Sequence, residues 1–507
     1  MTASSGPGAT PGNAPPAPPP RTDRPRQALF PILPHRLGDQ VEAALADTTM
    51  RGFVKQTTLL KDSTRPLALG QAFGDTAQVN ALRVEAGRRK RETLAHLDTH
   101  LERFAETATR NGIEVHFAST AAQCNDLVVA IAKAHGLTHA VKAKSMVTEE
   151  TQLLDRLLDE GIPTWETDLG ELVLQLDDDA PSHLVTPMIH KDREAAARAL
   201  SRLPAHAANT PLPPDPKTLT RAARAHLRER FEAAMKDGLG LTGANFLVAE
   251  TGEIVTCTNE GNGRLSAMSP RVHIAIAGIE RVVPTTADLA LYLELLAKSS
   301  TGQPLTVYTS FVRSPRLVDE PRELGGPDAV HVILLDNGRT KVLAEPDFRD
   351  ALGCLRCGAC LNACPVYRTV GGHAYGSVWP GPIGKILTPL IRGDDNYPDL
   401  AWASTLCGAC RESCPVDIDI PHMLVALRAR AHTKKLTPWR LRAALKVARL
   451  MMGGRLRWRI TLGLAGLFAH HELGPAKAFA SHGRTFPRPE PSPRTKKARF
   501  RRSRGHT

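Results

Sequence analysis

The pattern of apolar and polar residues predicts helices directly after a proline-rich start. The segments "QVEAALADTTMRGFVKQTTLLKDSTR" and "VNALRVEAGRRKRETLAHLDTHLERFAETATRNG" both have helical character. The second ends at Gly112, a residue suited to the cap that follows a helix. We therefore predict a helical N-terminal region over residues 36–112.

Strands and helices alternate from residue 113 onward. "IEVHFA", "HAVKAK" and "IPTWETD" are predicted as strands, with helices over "AAQCNDLVVAIAKAHG" and "MVTEETQLLDRLLDEG" between them. A helical arm at residues 218–237 leads to a second strand-rich half, where "AETG" between two apolar runs indicates a hairpin. Such alternation is typical of βαβ units. The pattern predicts an α/β domain with a mainly parallel sheet over residues 113–345.

Both ends of the chain differ from this pattern. Residues 1–35 are predicted to be a disordered, Pro-rich lead without the apolar core of a signal peptide. Residues 433–480 are predicted to be helical, and residues 481–507 to be a disordered basic tail. Much of the net charge of +13 lies in that tail, which could contact a membrane surface, RNA or an acidic partner. We favour a solvated charged extension instead, so we expect no nucleic-acid partner. The predicted location is therefore the cytoplasm, with at most peripheral membrane contact through Ile460–Ala469.

Seven of the nine cysteines lie in two short runs, "CLRCGACLNACP" from Cys354 and "CGACRESCP" from Cys407. The spacing C-x2-C-x2-C-x3-C-P is typical of two-cluster ferredoxins, in which the fourth cysteine of a run ligates the other cluster. Zinc is the alternative, but it favours two well-separated pairs of thiolates. The sequence therefore predicts a small, mostly helical, ferredoxin-like module with two [4Fe-4S] clusters over residues 346–432.

The crossover rule assigns the cysteines to two sets. The predicted ligands of the first cluster are Cys354, Cys357, Cys360 and Cys414. Those of the second are Cys364, Cys407 and Cys410. Ser404 stands where the second run would need its eighth cysteine. The second cluster is therefore completed by the Ser404 oxygen or by water or substrate on an open iron, or it lacks one iron. Ser404 as an ordinary loop residue is the remaining alternative.

Two further segments are candidates for binding a small 2-hydroxy carboxylate. Their candidate residues are Lys142, Lys144, Ser145, Asn259, Glu260 and Arg264. In "KAKSMVTEE", Lys142 and Lys144 are predicted to share one face of a strand. The helix that follows has Ser145 or Thr148 near its N-cap, where an anion can bind. In "TNEGNGR", Arg264 can orient a carboxylate while Glu260 acts as a general base. Ordinary helix capping and an ordinary turn are the alternatives.

Several motifs in a fixed order resemble the lactate utilisation protein B family. They are "KAKSMVTEE", "ETDLGE", "TNEGNGR", "GGHAYGSVWPGPIG" and both cysteine runs, within a resemblance over about residues 45–470. It implies an α/β domain of the LUD type, similar to isomerase and CoA-transferase-like folds, fused to the two-cluster module. It also implies work with two partner proteins in oxidising L-lactate to pyruvate. All seven cluster cysteines of the family have a counterpart in this chain, and the eighth cysteine is missing from both.

Three functional hypotheses follow. The first is an electron-transfer subunit that relays electrons through two [4Fe-4S] clusters, as a component of an L-lactate-oxidising oxidoreductase complex. In the second, the α/β domain itself binds and oxidises lactate. In the third, the chain is a redox sensor associated with nucleic acid or a membrane. The sequence identifies no catalytic residue and no electron acceptor.

Overall fold

The computed structural model describes residues 29–206, 211–317, 325–454 and 456–461. The chain divides into two units after Leu436. Most of the predicted lead, the predicted basic tail and all but two residues of Ile460–Ala469 lie outside the described part of the chain. Among the helices that are described, none has both the length and the apolar character needed to cross a membrane.

The strands form two sheets. In chain order, the strands are β1 (Glu114–Ala118), β2 (His139–Lys142), β3 (Thr164–Glu166), β4 (Gly238–Gly243), β5 (Phe246–Val248), β6 (Glu253–Thr258), β7 (Val272–Gly278), β8 (Val282–Val283), β9 (Tyr308–Val312) and β10 (Ala329–Leu335). The larger sheet has the order β1-β10-β7-β4-β2-β3, and all its neighbouring pairs are parallel. The smaller sheet has the order β8-β5-β6-β9 and is mixed.

The helices before the second sheet are α1 (Leu37–Ala46), α2 (Thr48–Phe73), α3 (Thr76–Ala95), α4 (Leu97–Arg110), α5 (Ala121–Ala134), α6 (Met146–Glu150), α7 (Leu153–Asp159), α8 (Leu169–Leu176), α9 (Arg193–Leu200) and α10 (Pro216–Asp237). The later helices are α11 (Asn262–Met268), α12 (Thr286–Thr301), α13 (Arg339–Leu343), α14 (Ala359–Ala363), α15 (Pro365–Val370), α16 (Gly381–Arg392), α17 (Ala409–Glu412), α18 (Ile420–Thr433) and α19 (Trp439–Met452). Helix α19 belongs to the second unit. Short 3-10 helices lie at Ile279–Arg281, Arg349–Gly353, His373–Tyr375 and Leu400–Trp402.

The α/β architecture and its parallel sheet confirm the predicted fold class. Strands β2 and β7 are buried at every position, as expected for a parallel sheet whose two faces are both covered. The predicted hairpin is also confirmed, because Val248 of β5 pairs with Glu253 of β6 in antiparallel register. Gly112 has a φ of +85°, which suits the predicted end of the helical region.

The N-terminal helices pack against the cysteine module as well as against each other. Val54 of α2 and Ala86 of α3 share one apolar core with Leu361 and Tyr367 of the module. Helix α3 approaches so closely that a Cβ on Gly87 would lie 2.6 Å from the backbone oxygen of Val416. The module therefore takes part of its hydrophobic core from the first hundred residues.

Candidate metal centres and an adjoining cavity

An inner site brings together four thiols from both cysteine runs. One small cavity is lined by Cys354, Cys357, Cys360 and Cys414. The 3-10 helix Arg349–Gly353 ends directly before the first of them. Gly358 follows the second with a φ of +76°, a conformation that glycine adopts without strain, and this allows a tight turn. The fold thus gathers the set that the spacing assigned to the first cluster.

An outer site gathers the remaining thiols around a second cavity. Its wall includes Cys364, Cys407, Cys410 and Ser404. Gly408, with a φ of +88°, makes the same turn here that Gly358 makes at the inner site. The buried Lys385 places its Nζ 3.9 Å from the Cys364 sulfur. Each cysteine run therefore contributes to both cavities.

The inner site has the chemistry that an iron–sulfur cluster requires. Burial raises the pKa of Cys357 well above the ordinary thiol range and that of Cys414 to about 12. Thiolates in such surroundings need a cationic partner, which cluster iron supplies. The backbone N–H groups of Arg356 and Ile418 donate to the sulfurs of Cys354 and Cys414, each at 3.4 Å. Hydrogen bonds to the sulfurs are one of the features that set cluster potentials.

The two sites differ in their access to solvent. Cys357 and Cys360 are buried, whereas Cys407 is exposed. The backbone N–H of Ala409 and the Thr405 hydroxyl lower the pKa of Cys407 by hydrogen bonding to its sulfur. The outer site is therefore open to a protein or solute that exchanges electrons there, while the inner site is shielded.

Ser404 lies beside the three outer thiols. Its Oγ accepts a hydrogen bond of 3.2 Å from the Leu406 N–H, and its backbone oxygen accepts one of 3.0 Å from Arg428. Both contacts hold the residue at the wall of the cavity, so an oxygen ligand at this position is compatible with the fold.

The Ser404→Cys variant is expected to lose iron more slowly in air and to show a changed paramagnetic resonance spectrum. A fourth thiolate would bind iron more strongly than a hydroxyl does, because iron–sulfide clusters favour soft sulfur ligands. Iron content and the spectrum of the reduced protein measure the effect. Ser63→Cys, which adds a thiol to the exposed face of α2, is the matched control. An unchanged spectrum and rate in Ser404→Cys would show that residue 404 does not contact iron.

A third cavity of about 340 Å³ lies between the α/β domain and the cysteine module, with lining from both. Asn259 and Glu260 line it and are exposed, so they mark its opening. Arg281 and Arg356 also line it, and each has only 8% of its side chain exposed. Cys357 of the inner site lies on the same wall. The cavity therefore leads from the surface to the inner cluster site.

The structure brings some of the predicted substrate residues to this cavity and places others elsewhere. Lys142 is fully buried and pairs with Glu166 at 2.6 Å, without lining the cavity. Arg264 is exposed and holds its guanidinium 5.6 Å from the ring centre of Tyr308, also outside the cavity lining. The predicted residues that do line the cavity are Lys144, Ser145, Asn259 and Glu260.

Burial shifts the pKa values of several groups in and near the part of the cavity that Lys144 and Glu260 line. It raises the pKa of Glu166 and Glu171, although the cation of Lys142 opposes the change. Burial also raises the pKa of Glu260 and lowers that of Lys144. The raised pKa values of the glutamates and the lowered pKa of Lys144 bring the proton affinities of these acids and this base closer together. Of these side chains, Lys144 and Glu260 line the cavity, where they can hold or accept protons beside a bound molecule.

Sequence reasoning missed the cationic part of the cavity. Arg281 lies in a 3-10 helix after β7, far in sequence from the cysteine runs. Arg356 lies inside the first run, where the motif treats it only as a spacer between ligands. The ring of Trp379 lies 4.2 Å from the guanidinium carbon of Arg356. The one signal in the sequence for this cationic part of the cavity was an arginine, Arg356, inside a cysteine motif.

Comparisons with known proteins agree with this architecture. Residues 101–335 match the LUD domain family, and residues 350–418 match the 4Fe-4S dicluster domain family. The fold and the two cysteine sites thus define an iron–sulfur protein in which a LUD domain is joined to a module with two [4Fe-4S] clusters. Both the predicted cofactor and the predicted module are confirmed by the second match.

Individual relatives identify the family. Lactate utilization protein B of Shouchella clausii is 39% identical over 399 residues, which cover 78% of this chain and 81% of the relative. The protein of that name from an Exiguobacterium species is 41% identical, with coverage of 74% and 78%. The uncharacterized electron transport protein YkgF of Escherichia coli is 42% identical, with coverage of 70% and 72%. The chain belongs to the lactate utilisation protein B family.

Proposed function

We propose that this protein is the iron–sulfur electron-transfer subunit of a multi-protein system that oxidises L-lactate to pyruvate. The single observation that supports this most is the pair of cysteine-lined sites, one buried and one open, in a chain of this family. A bound [4Fe-4S] cluster supplies one-electron transfer, and lactate oxidation releases two electrons and two protons. Two clusters in one chain match that number of electrons.

The side chains around the sites support a direction for the relay. The inner thiols are lined by apolar residues, including Leu355 and Ile418, and one of the four, Cys357, also borders the cavity. The outer site is bordered by the exposed residues Thr405 and Leu406, which offer a surface for a partner. Electrons would thus enter near the cavity and leave at Cys407.

We further propose two other lactate-utilisation subunits as partners of this chain, which would make it a component of an oxidoreductase complex. The names of the relatives support a lactate-utilisation system and electron transport. We retain the cytoplasm as the proposed location, with at most peripheral membrane contact. The third hypothesis, a redox sensor that binds nucleic acid or a membrane, depended on the basic tail, which lies outside the described residues.

A second candidate function has support from the cavity. The cavity reaches Cys357, so a molecule bound there would lie beside a ligand of the inner cluster. Glu260 at the opening has a raised pKa, as expected for a group that exchanges protons. In this alternative the α/β domain itself binds and oxidises lactate, with Lys144, Ser145 and Asn259 as further contacts.

Anaerobic purification followed by paramagnetic resonance separates the two candidates. We expect a brown protein whose clusters become reduced when L-lactate and both partner subunits are present. Reduction by L-lactate without the partners would instead favour oxidation within this chain. Omission of lactate is the control for adventitious reduction. A colourless protein with stoichiometric zinc, or clusters that stay oxidised with every component present, would contradict the proposed function.

A further inference from the structure

The guanidinium of Arg356 is buried at the inner end of the 340 Å³ cavity with unused hydrogen-bonding capacity. Its Nη2 is 3.3 Å from an oxygen of Glu280. Its Nε and Nη1 are buried and have no hydrogen-bond partner among the described residues. Unsatisfied buried donors of a charged group are costly. The three N–H bonds on these two nitrogens therefore call for an acceptor from outside the chain.

The carboxylates near Arg356 are already engaged. Glu280 also accepts a hydrogen bond of 2.7 Å from Arg339, which pairs in turn with Glu150 at 2.9 Å. Arg281 donates to the backbone oxygen of Cys354 at 3.3 Å. Three guanidiniums thus share two carboxylates, so the side chains at this end of the cavity have one uncompensated positive charge before the charge of the inner cluster is counted.

We propose that this inner end binds the carboxylate of a small monocarboxylic 2-hydroxy or 2-oxo acid, with Arg356 as its main anchor and Arg281 beside it. The inference deepens the proposed function, on which its choice of substrate class rests. The planar guanidinium can donate two parallel hydrogen bonds to a carboxylate, and its carbon lies 4.2 Å from the centre of the Trp379 ring, within cation–π distance. Arg356 takes the anchoring role that the sequence assigned to Arg264.

The opposite end of the cavity sets a limit on the ligand. Asp168 and Glu260 line that end. Lys144, beside them, donates a hydrogen bond of 2.6 Å to the backbone oxygen of Leu184. A second carboxylate on the ligand would face these two acids. The site therefore selects a monocarboxylate over a dicarboxylate of similar length, because like charges in a half-enclosed cavity repel each other.

Binding is tested on the full-length, anaerobically purified protein in its oxidised state, without partner subunits. Sodium L-lactate and sodium pyruvate are the probes, and calorimetry measures affinity. Lactamide, which replaces the carboxylate by a neutral amide, and malate, which adds a second carboxylate, are the comparison compounds. We expect lactate and pyruvate to bind and both comparison compounds to bind at least about tenfold more weakly. Bound lactate should also alter the visible absorption spectrum of the inner cluster, because Cys357 lines the cavity.

Arg356→Gln is expected to weaken lactate binding by about tenfold or more, and Arg356→Lys to retain part of the affinity because it keeps the charge. Arg264→Gln, at an exposed arginine outside the cavity lining, is the matched control and should bind as the wild type does. If Arg356→Gln loses iron, Arg356→Lys and the lactamide comparison still test the site. Wild-type affinity in an iron-replete Arg356→Gln variant would overturn the proposal, as would equal binding of lactate and lactamide.

The outcome of the lactate-binding experiment does not depend on whether electrons pass through the two clusters. Guanidiniums that serve only to balance the charge of a cluster would give no lactate binding to the wild type, which would also overturn the proposal. A failed electron relay would appear differently, as normal lactate binding with clusters that no partner reduces.

Discussion

Replacing Cys360 by serine will remove the inner cluster and destabilise the region that joins the module to the N-terminal helices. Cys360 is 9% exposed and belongs to the same apolar core as Val54 and Leu361. A buried hydroxyl without a partner costs roughly 1–3 kcal/mol, and loss of the cluster removes the cross-link between the two cysteine runs. We expect iron content to fall by roughly half and the unfolding temperature to fall by about 10 °C or more.

Cys407→Ser is the matched control for this prediction. Cys407 is exposed at the outer site, so its replacement should remove iron from that site without opening the apolar core. Iron and sulfide analysis, visible absorption and thermal unfolding of both variants give the comparison. An equal loss of stability in the two variants would show that the inner site does not stabilise the fold more than the outer site.

Replacing Arg339 by methionine will destabilise the protein by roughly 3–5 kcal/mol at neutral pH. Arg339 is fully buried and pairs with Glu150 at 2.9 Å and with Glu280 at 2.7 Å. Methionine would leave two buried carboxylates without this partner, which is far less favourable than an intact buried ion pair. Urea unfolding, followed by circular dichroism under anaerobic conditions, measures the change in free energy.

The destabilisation should depend on pH. Burial opposes ionisation of Glu280, but Arg339 and the neighbouring guanidiniums of Arg281 and Arg356 lower its pKa to about 2. A lowered pKa contributes stability that is complete above the unfolded value of about 4.5 and is lost as the pH falls towards 2. Glu280 in Arg339→Met can take up a proton more readily, so the difference from wild type should be smaller at pH 4.5 than at pH 7.5.

Arg88→Met tests whether the effect of Arg339 comes from burial. Arg88 makes ion pairs with Glu85 and Glu92, each at 2.8 Å, but its side chain is 56% exposed. Solvent screens such pairs, so this variant should unfold at nearly the wild-type urea concentration. A loss of stability similar to that of Arg339→Met would contradict the assignment of the large effect to buried charge.

The sequence predicts those parts of the fold in which local pattern and environment agree. Strands β1 to β3 are short apolar runs next to clear helices, and the hairpin between β5 and β6 has a turn sequence between apolar segments. Central strand β4 was not predicted, because "GLGLTG" has little strand propensity. Its Gly240 is required by packing, since a Cβ there would lie 2.0 Å from the backbone oxygen of Ser266. That contact depends on α11, which no local pattern reveals.

The candidate site shows the same division. The cysteine spacing predicts which thiols share a cavity, because ligand geometry is fixed by short loops. Lys142 and Lys144 were predicted to share a strand face, but β2 ends at Lys142, and Lys144 follows in the loop. Lys142 pairs with Glu166 on the neighbouring strand β3. Contacts between residues distant in sequence decide which of two similar lysines faces the cavity.

The shared core of the N-terminal helices and the cysteine module has a consequence for biosynthesis. Helices α2 and α3 leave the ribosome early, whereas the residues that cover their apolar faces, such as Leu361 and Tyr367, are translated much later. During this interval the nascent chain exposes apolar surface, which favours aggregation and recognition by chaperones. Cys414 completes the inner thiol set still later. Iron binding at the inner site by all four thiols must therefore follow translation of Cys414.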